Sequence, residues 1–554
     1  MTARAGPDLL ADSLFTVVGA DGCAPLPLPM LLARLLAGWE LHGFSEVTAE
    51  QYGHWHRFLV RCATRALREL GLAVAAAQRT EPDALAPQLE RALRSLAPEG
   101  AWLLYQPDPT RPGFLQPPTP DGKPPGGGNN YKPDSMALLT STIGGKSHER
   151  KAEVARRLTP EQTVYALVEY QTASIYRLKH GYESQLTGSR DGAGSGTPFM
   201  AARIGGSLCK SLRHDVDVML SSWDEIRRAG LAGNVWALWG TTWDGASQLP
   251  SERLDPAFIP MARLLRLAPP DDEVFHTIWF RPTWLGGNPR VRDHTGGGVL
   301  GDPFTPLVPD PKTGAPKVRG TLRKGYDYTE VVRLLFGTDE QGGEASPSVR
   351  ALQDRAEWER TDLAVVFEGT AYEQGKTGGF HRRTVLLPTV GGRDVVPWLQ
   401  DPAPVRTAHT AMLDRVKKTK GALRGAARIV LSGEPKPREG DSARVEAAAA
   451  MLEQRVDADY LAHLFATAAV VEQGKDDWID PWSAWLTEQA LDVFRTSLAM
   501  LPVSTNQRWE REVSAESYLR YKLSQMREAV GGGGEVEPGV EEAETEPEEA
   551  EEAE

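Results

Sequence analysis

Gly375-Lys376-Thr377 is where residue types and spacing first suggest chemistry, because Gly-Lys-Thr closes the phosphate-binding loop of nucleotide hydrolases. That loop needs a glycine, four residues and then Gly-Lys-Ser/Thr, so that successive backbone N–H groups curl around phosphate oxygens before a helix begins. Here five residues separate Gly369 from Gly375. Gly378 and Gly379 then lead into Phe380-His381-Arg382-Arg383-Thr384-Val385-Leu386-Leu387, ahead of Pro388. That run is β-branched and apolar, which predicts the second strand of a hairpin and not a helix. A second near-miss, Gly144-Gly145-Lys146-Ser147, has Thr140 where the first glycine belongs. Neither stretch meets the requirements of a nucleoside triphosphate site.

Other catalytic candidates are thin. His214-Asp215 has the residue types of paired metal ligands in phosphohydrolases, but one dipeptide supplies too few ligands, so a structural pair is expected. Asp293-His294-Thr295 precedes three glycines and reads equally as a turn or an acid/base pair. His54-Trp55-His56 falls on a predicted helix, where i, i+2 spacing sends the imidazoles to different faces. Trp55 is then expected to pack inward with both histidines at the boundary. The sequence contains no Gly-x-Ser-x-Gly and no His-Glu-x-x-His.

Basic, glycine-laced segments are better represented. Lys146, His148, Arg150 and Lys151 sit in or just after a glycine turn. Arg281, Arg290 and Arg292 lie around the aromatic-rich IWFRPTWLGGNPRVRDHTGGG. Lys376, His381, Arg382 and Arg383 belong to the stretch considered first. The run 403–430 carries seven Lys/Arg (Arg406, Arg415, Lys417, Lys418, Lys420, Arg424, Arg428) against one acid, Asp414. Such clusters suit phosphate contacts, where Lys and Arg neutralise charge and glycine lets the backbone approach closely.

The elements that must position these residues follow from pattern and composition. The 554 residues are enough for several domains, and 41% hydrophobic content supports ordinary cores. The formal net charge of −13 comes mostly from residues 535–554, which hold eleven Glu and no basic residue, leaving −2 for the rest. A run of that kind predicts a disordered, self-repelling tail. Cys23, Cys62 and Cys209 are too far apart for a CxxC zinc module and suit a reducing compartment. Without an eighteen-residue apolar run or a signal-peptide pattern, a cytoplasmic location is expected. Near the N-terminus SLFTVVGADG predicts a hairpin-like opening, and LPMLLARLLAG and WHRFLVRCATRALRELGL have helical apolar spacing. Thr159 caps a further helix whose first position is Pro160, with Glu161 complementing the dipole. From 402 onward four helix-like runs (403–430, 442–472, 480–500, 507–528) predict an antiparallel four-helix bundle. The fold class expected is α+β: a large mixed α/β region with extended loops, over 1–397; a four-helix bundle, over 398–530; and a disordered acidic tail, over 531–554.

The order of segments WHRFLVRCATRAL, RPGFLQPP, DSMALLTSTIGGKSHERKA and PEQTVYALVEYQT is similar to that of a known family. With the glycine-rich loop, mixed domain and helical bundle that follow, it resembles the large subunit (CasA family) of the type I-E CRISPR Cascade surveillance complex. The resemblance extends to about residue 528. It implies a non-catalytic reader of double-stranded DNA, with no cofactor and no bound metal. Such a subunit recognises the short protospacer-adjacent motif, helps open the duplex for R-loop formation and offers a docking surface to a separate helicase-nuclease. Its partners would be the other Cascade subunits with their guide RNA. By position, the resemblance puts the wedge that enters the duplex on Gln374, Gly375, Lys376 and Thr377, with Arg382 and Arg383 behind. It puts the glycine loop that approaches DNA on Gly192, Gly194 and Gly196, and offers Arg290 and Arg292 as minor-groove candidates. The loop at the guide-RNA handle falls on Lys146, Ser147, His148 and Arg150. Lys417, Lys418, Lys420, Arg424 and Arg428 would meet the DNA backbone from the bundle. Two departures are visible: Glu373 stands where the family's wedge commonly has Asn before Gln, and the usual Trp-Ile-Pro opening is missing. Two other function classes are compatible with the residues. One is a metal-dependent nuclease or phosphohydrolase using His214-Asp215 or Asp293-His294. The other is a scaffold whose basic loops grip only guide RNA.

Overall fold

A computed structural model describes residues 5–19, 22–126, 131–139, 157–173, 199–204, 207–243, 247, 249–261, 264–272, 274–280, 291–292, 303–304, 306–309, 313–314, 316–337, 363–373, 376–390, 393–436, 442–475, 477–501 and 506–528. It is a mixed helix-and-strand structure that divides into two compact units, Met1–Thr407 and Ala408–Glu554.

In the first unit, β1 (Phe15–Gly19) and β2 (Gly22–Leu26) form the expected hairpin, and β3 (Leu41–Phe44) pairs with the other edge of β1. Between them α1 (Leu28–Ala37) starts with Pro29 in its first turn and stops at Gly38, whose φ of 90° is left-handed and suits glycine. The long α2 (Ala49–Leu70) buries Trp55, Phe58, Leu59, Cys62, Ala63, Ala66 and Leu67, a stripe at three- and four-residue steps. It packs against α3 (Pro82–Ser95), α4 (Pro160–Ala173) and α5 (Leu208–Ser221). At the start of α4 the Gln162 N–H donates to Thr159 Oγ1 at 3.2 Å while Gln162 Oε1 accepts from the Thr159 N–H at 3.1 Å. This reciprocal cap bears out Thr159 as the helix boundary. Glu161 does more than complement a dipole: it is buried and accepts from the Thr16 N–H and the Tyr165 hydroxyl, both at 2.8 Å, which ties α4 to β1. Trp55 fills the space between, with ring centroids 5.1 Å from Phe15 and 4.9 Å from Tyr165.

Three further strands make a small antiparallel sheet: β4 (Lys132–Ser135), β6 (Leu265–Leu267) and, between them, β7 (Thr277–Phe280). The sheet that matters most below has the order β9-β8-β5, where β5 is Phe199–Ile204, β8 Leu363–Glu373 and β9 Lys376–Leu387. It rests on α2 and α5. The short α6 (Tyr328–Phe336) is capped by Asp327, whose side chain accepts from the Glu330 N–H at 2.9 Å.

The second unit is the helical bundle. Its helices are α7 (Ala403–Ser432, beginning in the first unit), α8 (Ser442–Glu472), α9 (Asp480–Ser497) and α10 (Arg508–Glu528). The Tyr460 hydroxyl meets His409 Nδ1 at 2.8 Å, and the Tyr460 ring lies 5.5 Å edge-on from Trp482. Trp482 Nε1 donates to the Met412 carbonyl at 3.3 Å, so α7, α8 and α9 share one core. Gly425 admits α10: a Cβ there would lie 2.7 Å from the Tyr518 ring. Among the described residues no helix is long and apolar enough to cross a membrane.

Candidate nucleic-acid interface

The Gly-Lys-Thr stretch is the hairpin that its sequence predicts. β8 and β9 pair antiparallel from Leu363↔Leu387 to Glu373↔Lys376, leaving two residues between the strands. The register shifts between Ala371 and Tyr372: Ala371 faces Gly379 and Tyr372 faces Thr377, so Gly378 is the extra residue of a bulge. Gly379 has φ +104° and open space around its missing Cβ, so its conformation, not crowding, calls for glycine. Among the described residues, pairing with β5 runs from Leu363↔Ile204 to Glu368↔Phe199. From Gly369 to Glu373 the β8–β9 pairing runs on as a ribbon about 17 Å long at about 3.3 Å per residue.

The ribbon's base is polar on one face and anchored on the other. Arg382, with 45% of its side chain exposed, faces the buried Glu368 across the strands at 3.6 Å. Arg383 donates from Nη1 to the Tyr326 carbonyl at 2.8 Å, and the Tyr326 ring lies 5.7 Å from Phe367. Burial, with Glu368 and Glu330 nearby, pushes the Tyr326 hydroxyl well above its ordinary range against a hydrogen bond with Thr321, so it stays protonated. Arg383 is thus a structural tie as well as a cation, whereas Arg382 turns outward.

Of the other residues singled out, Lys376 and Thr377 open β9, while Gln374 and Gly375 lie outside the described residues. So do Gly192, Gly194, Gly196, Arg290, Lys146, Ser147, His148, Arg150, the Asp293-His294 pair and the acidic tail. Arg292 ends a two-residue strand paired parallel with Leu249–Pro250. The basic face of α7 is largely answered by acids. Lys418 meets Asp414 at 2.8 Å, Lys420 meets Glu453 at 2.7 Å, and Arg424 holds Glu446 through two bonds of 2.8 Å. Lys417 is exposed and Arg428 half-buried.

His214-Asp215 is a buried structural cluster, as its composition suggests. Asp215 Oδ2 lies 2.7 Å from His56 Nε2, and Oδ1 lies 2.9 Å from His214 Nδ1. Burial pushes the Asp215 carboxyl up, but hydrogen bonds from both histidines and their charge outweigh it and hold the group below its ordinary value. His56 corrects the expectation of a boundary position: it is 4% exposed, because its partner on α5 compensates for its burial. His54 is the boundary residue, 3.2 Å from the Thr172 hydroxyl, with burial and the neighbouring Arg57 lowering it to about 3. Among the described residues no group of three His, Cys, Asp or Glu side chains is placed to hold a metal ion.

Sequence reasoning missed Arg266. It is 3% exposed and donates to five backbone carbonyls: Arg111, Gln116 and Pro117 through Nη1, Gln106 and Asp108 through Nη2. Around it, the Phe-Leu-Gln-Pro motif forms a knot. Gln116 Nε2 donates to the Leu104 carbonyl at 2.7 Å and Gln116 Oε1 accepts from the Leu267 N–H at 2.7 Å. Leu115 has φ 53°, and its carbonyl accepts from Gln171 of α4 at 2.9 Å. The motif's residues thus have structural roles, and Gln171 and Leu267, 56 and 151 positions from their partners in the motif, help explain them.

Comparison with known proteins agrees with this architecture. The profile of the family described as CRISPR-associated protein Cse1 (CRISPR_cse1) matches residues 37–493. No curated protein matches the chain in sequence. Among solved structures, the fold is similar to Cse1 from Acidimicrobium ferrooxidans, with a TM-score of 0.65 and 15% identity over 96% of this chain and 100% of that one. It is also similar to Thermus thermophilus CasA (Cse1), with a TM-score of 0.54 and 14% identity over 95% and 100%. A chain of a structure described as a CRISPR RNA-guided surveillance complex aligns at a TM-score of 0.56 and 13% identity, over 96% and 100%.

Proposed function

This chain belongs to the Cse1 family of CRISPR-associated proteins, and from that premise we propose that it is the large, non-catalytic subunit of an RNA-guided surveillance complex. In this reading it recognises a short motif in double-stranded DNA and helps start duplex opening, in the cytoplasm. Guide RNA and the other subunits supply sequence recognition, and cleavage comes from a separate helicase-nuclease that docks on the complex.

The observation that carries the reading is the long β8–β9 hairpin, whose strands stay paired out to Glu373↔Lys376. A two-stranded ribbon fits a DNA groove about 12 Å wide. Separating one base-pair step costs roughly 0.6–2.2 kcal/mol, and guide pairing then compensates, so a wedge need stabilise only the first step or two. Gln374, Gly375, Lys376 and Thr377 are assigned to the wedge, and Arg382 and Arg383 to the positions behind it. Gly192, Gly194, Gly196, Arg290 and Arg292 are assigned to the motif, and Lys146, Ser147, His148 and Arg150 to the guide-RNA handle. The bundle's Lys417, Lys418, Lys420, Arg424 and Arg428 are assigned to the DNA backbone. Their exposed ion pairs are each worth about 0–1 kcal/mol, so phosphates can replace the acids. In the assembled complex, Gln374→Ala with Lys376→Ala should leave motif binding largely intact and slow duplex opening. Opening at the wild-type rate would remove the wedge from this account.

A further inference from the structure

The turn from Leu322 to Asp327 grips the ribbon's base. Side chains two residues apart on a strand share a face, so Arg383 and His381 face the same side of β9. The turn engages both. The Tyr326 carbonyl takes the Arg383 guanidinium at 2.8 Å, and the Tyr326 ring lies against Phe367, the residue paired with Arg383. Two rungs further out, Gly325 lies so close to His381 that an added Cβ would be 2.7 Å from Nδ1 and 3.0 Å from Cγ. Gly325 itself has φ +76°, and its N–H closes the turn on the Leu322 carbonyl at 2.9 Å. The turn is stiffened on both sides. Tyr326 and Thr321 share a hydroxyl contact at 3.1 Å, Lys324 pairs with Asp327, and Asp327 caps α6 through Glu330 and Thr329. Glu330 in turn holds Arg319 through two bonds of 2.9 Å.

The two gripped rungs, Phe367–Arg383 and Gly369–His381, flank Glu368. We propose that this turn is the fulcrum of the ribbon, and that Gly325, His381, Tyr326 and Arg383 are positioning residues that set the angle of its tip. The inference rests on the wedge reading above and deepens it. From the His381 rung to Glu373 the ribbon runs about 13 Å, so a tilt of about 10° at the fulcrum moves the tip by about 2 Å. That is enough to take a side chain out of hydrogen-bonding reach of a base or phosphate.

Gly325→Ala drives a methyl group into His381, and adding His381→Ala makes room for it, while the left-handed backbone strain of alanine remains in both variants. Three readouts are compared in the assembled complex: thermal stability, hydrogen exchange of the β9 amides 380–385, and opening of a motif-bearing duplex. The expectation is lowered thermal stability in both variants. Exchange should be faster and opening at least 10-fold slower in Gly325→Ala alone, both returning to within about 3-fold of wild type in the double variant. A double variant that opens DNA no better than Gly325→Ala would overturn the fulcrum, because the loss would then follow from destabilisation. Unchanged β9 exchange in Gly325→Ala would overturn it too. Exchange that responds and recovers while opening never changes would leave the fulcrum standing and refute the wedge.

Discussion

Replacing Asp215 with alanine tests whether the buried His56–Asp215–His214 cluster holds α2 against α5 or serves chemistry. The carboxylate accepts at 2.7 Å from His56 and 2.9 Å from His214, and the residue is 2% exposed. Hydrogen bonds to a charged group contribute about 1.5–3 kcal/mol each. The variant loses both, strands two buried imidazoles and is relieved of burying a charge, so the net loss should be about 3–5 kcal/mol at pH 7. The assay is urea unfolding followed by tryptophan fluorescence, reading the transition of the unit that contains Trp55. The pH dependence has a definite sign. Because the Asp215 pKa is held below its ordinary 3.8 in the folded protein, its contribution is full above the unfolded value and lost as pH falls through the folded one. The gap between wild type and Asp215→Ala should therefore be constant around neutrality and narrow below about pH 4. A loss under about 1 kcal/mol, together with the disappearance of a metal-dependent nuclease activity, would refute the structural assignment and revive the enzymatic one.

The same substitution at two glycines of α7 should have opposite effects. Gly421→Ala adds a methyl group to open space in a helix and should stabilise the bundle by about 0.5–1 kcal/mol, whereas Gly425→Ala meets the Tyr518 ring at 2.7 Å and should cost about 1–3 kcal/mol, both read by thermal melting. His54, held near 3 by burial and Arg57, resists protonation when folded, so wild type should lose about 1.5 kcal/mol between pH 6.5 and 5. His54→Gln should flatten that slope, and an unchanged slope would assign the acid sensitivity elsewhere.

What was legible in the sequence was local. The β-branched run after Gly379 fixed β9 as a strand, and Thr159 three residues before Gln162 marked a helix start, because strand period and capping chemistry act over a few residues. The helices of the bundle were readable from their apolar steps for the same reason. What stayed hidden depends on distant partners. Nothing next to His56 announces Asp215, 159 positions away, so burial of a histidine could not be read from its neighbours. Arg266 sits in a plain apolar run, and its five carbonyl acceptors come from the loop 106–117. The seven basic residues of 403–430 looked like an open phosphate-binding face until Glu446 and Glu453 arrived from α8. The ribbon shows both sides: its strands were visible locally, but the place where the turn 322–327 grips was not.

The central claim is that the β8–β9 tip starts duplex opening. The most direct measurement places a fluorescent base analogue at the first target base pair beside the motif and follows its unstacking by the assembled complex. With Gln374→Ala and Lys376→Ala together, the account predicts motif-duplex binding within about 3-fold of wild type and opening at least 10-fold slower, about 1.4 kcal/mol in barrier. Unstacking at the wild-type rate, with binding intact, would contradict it.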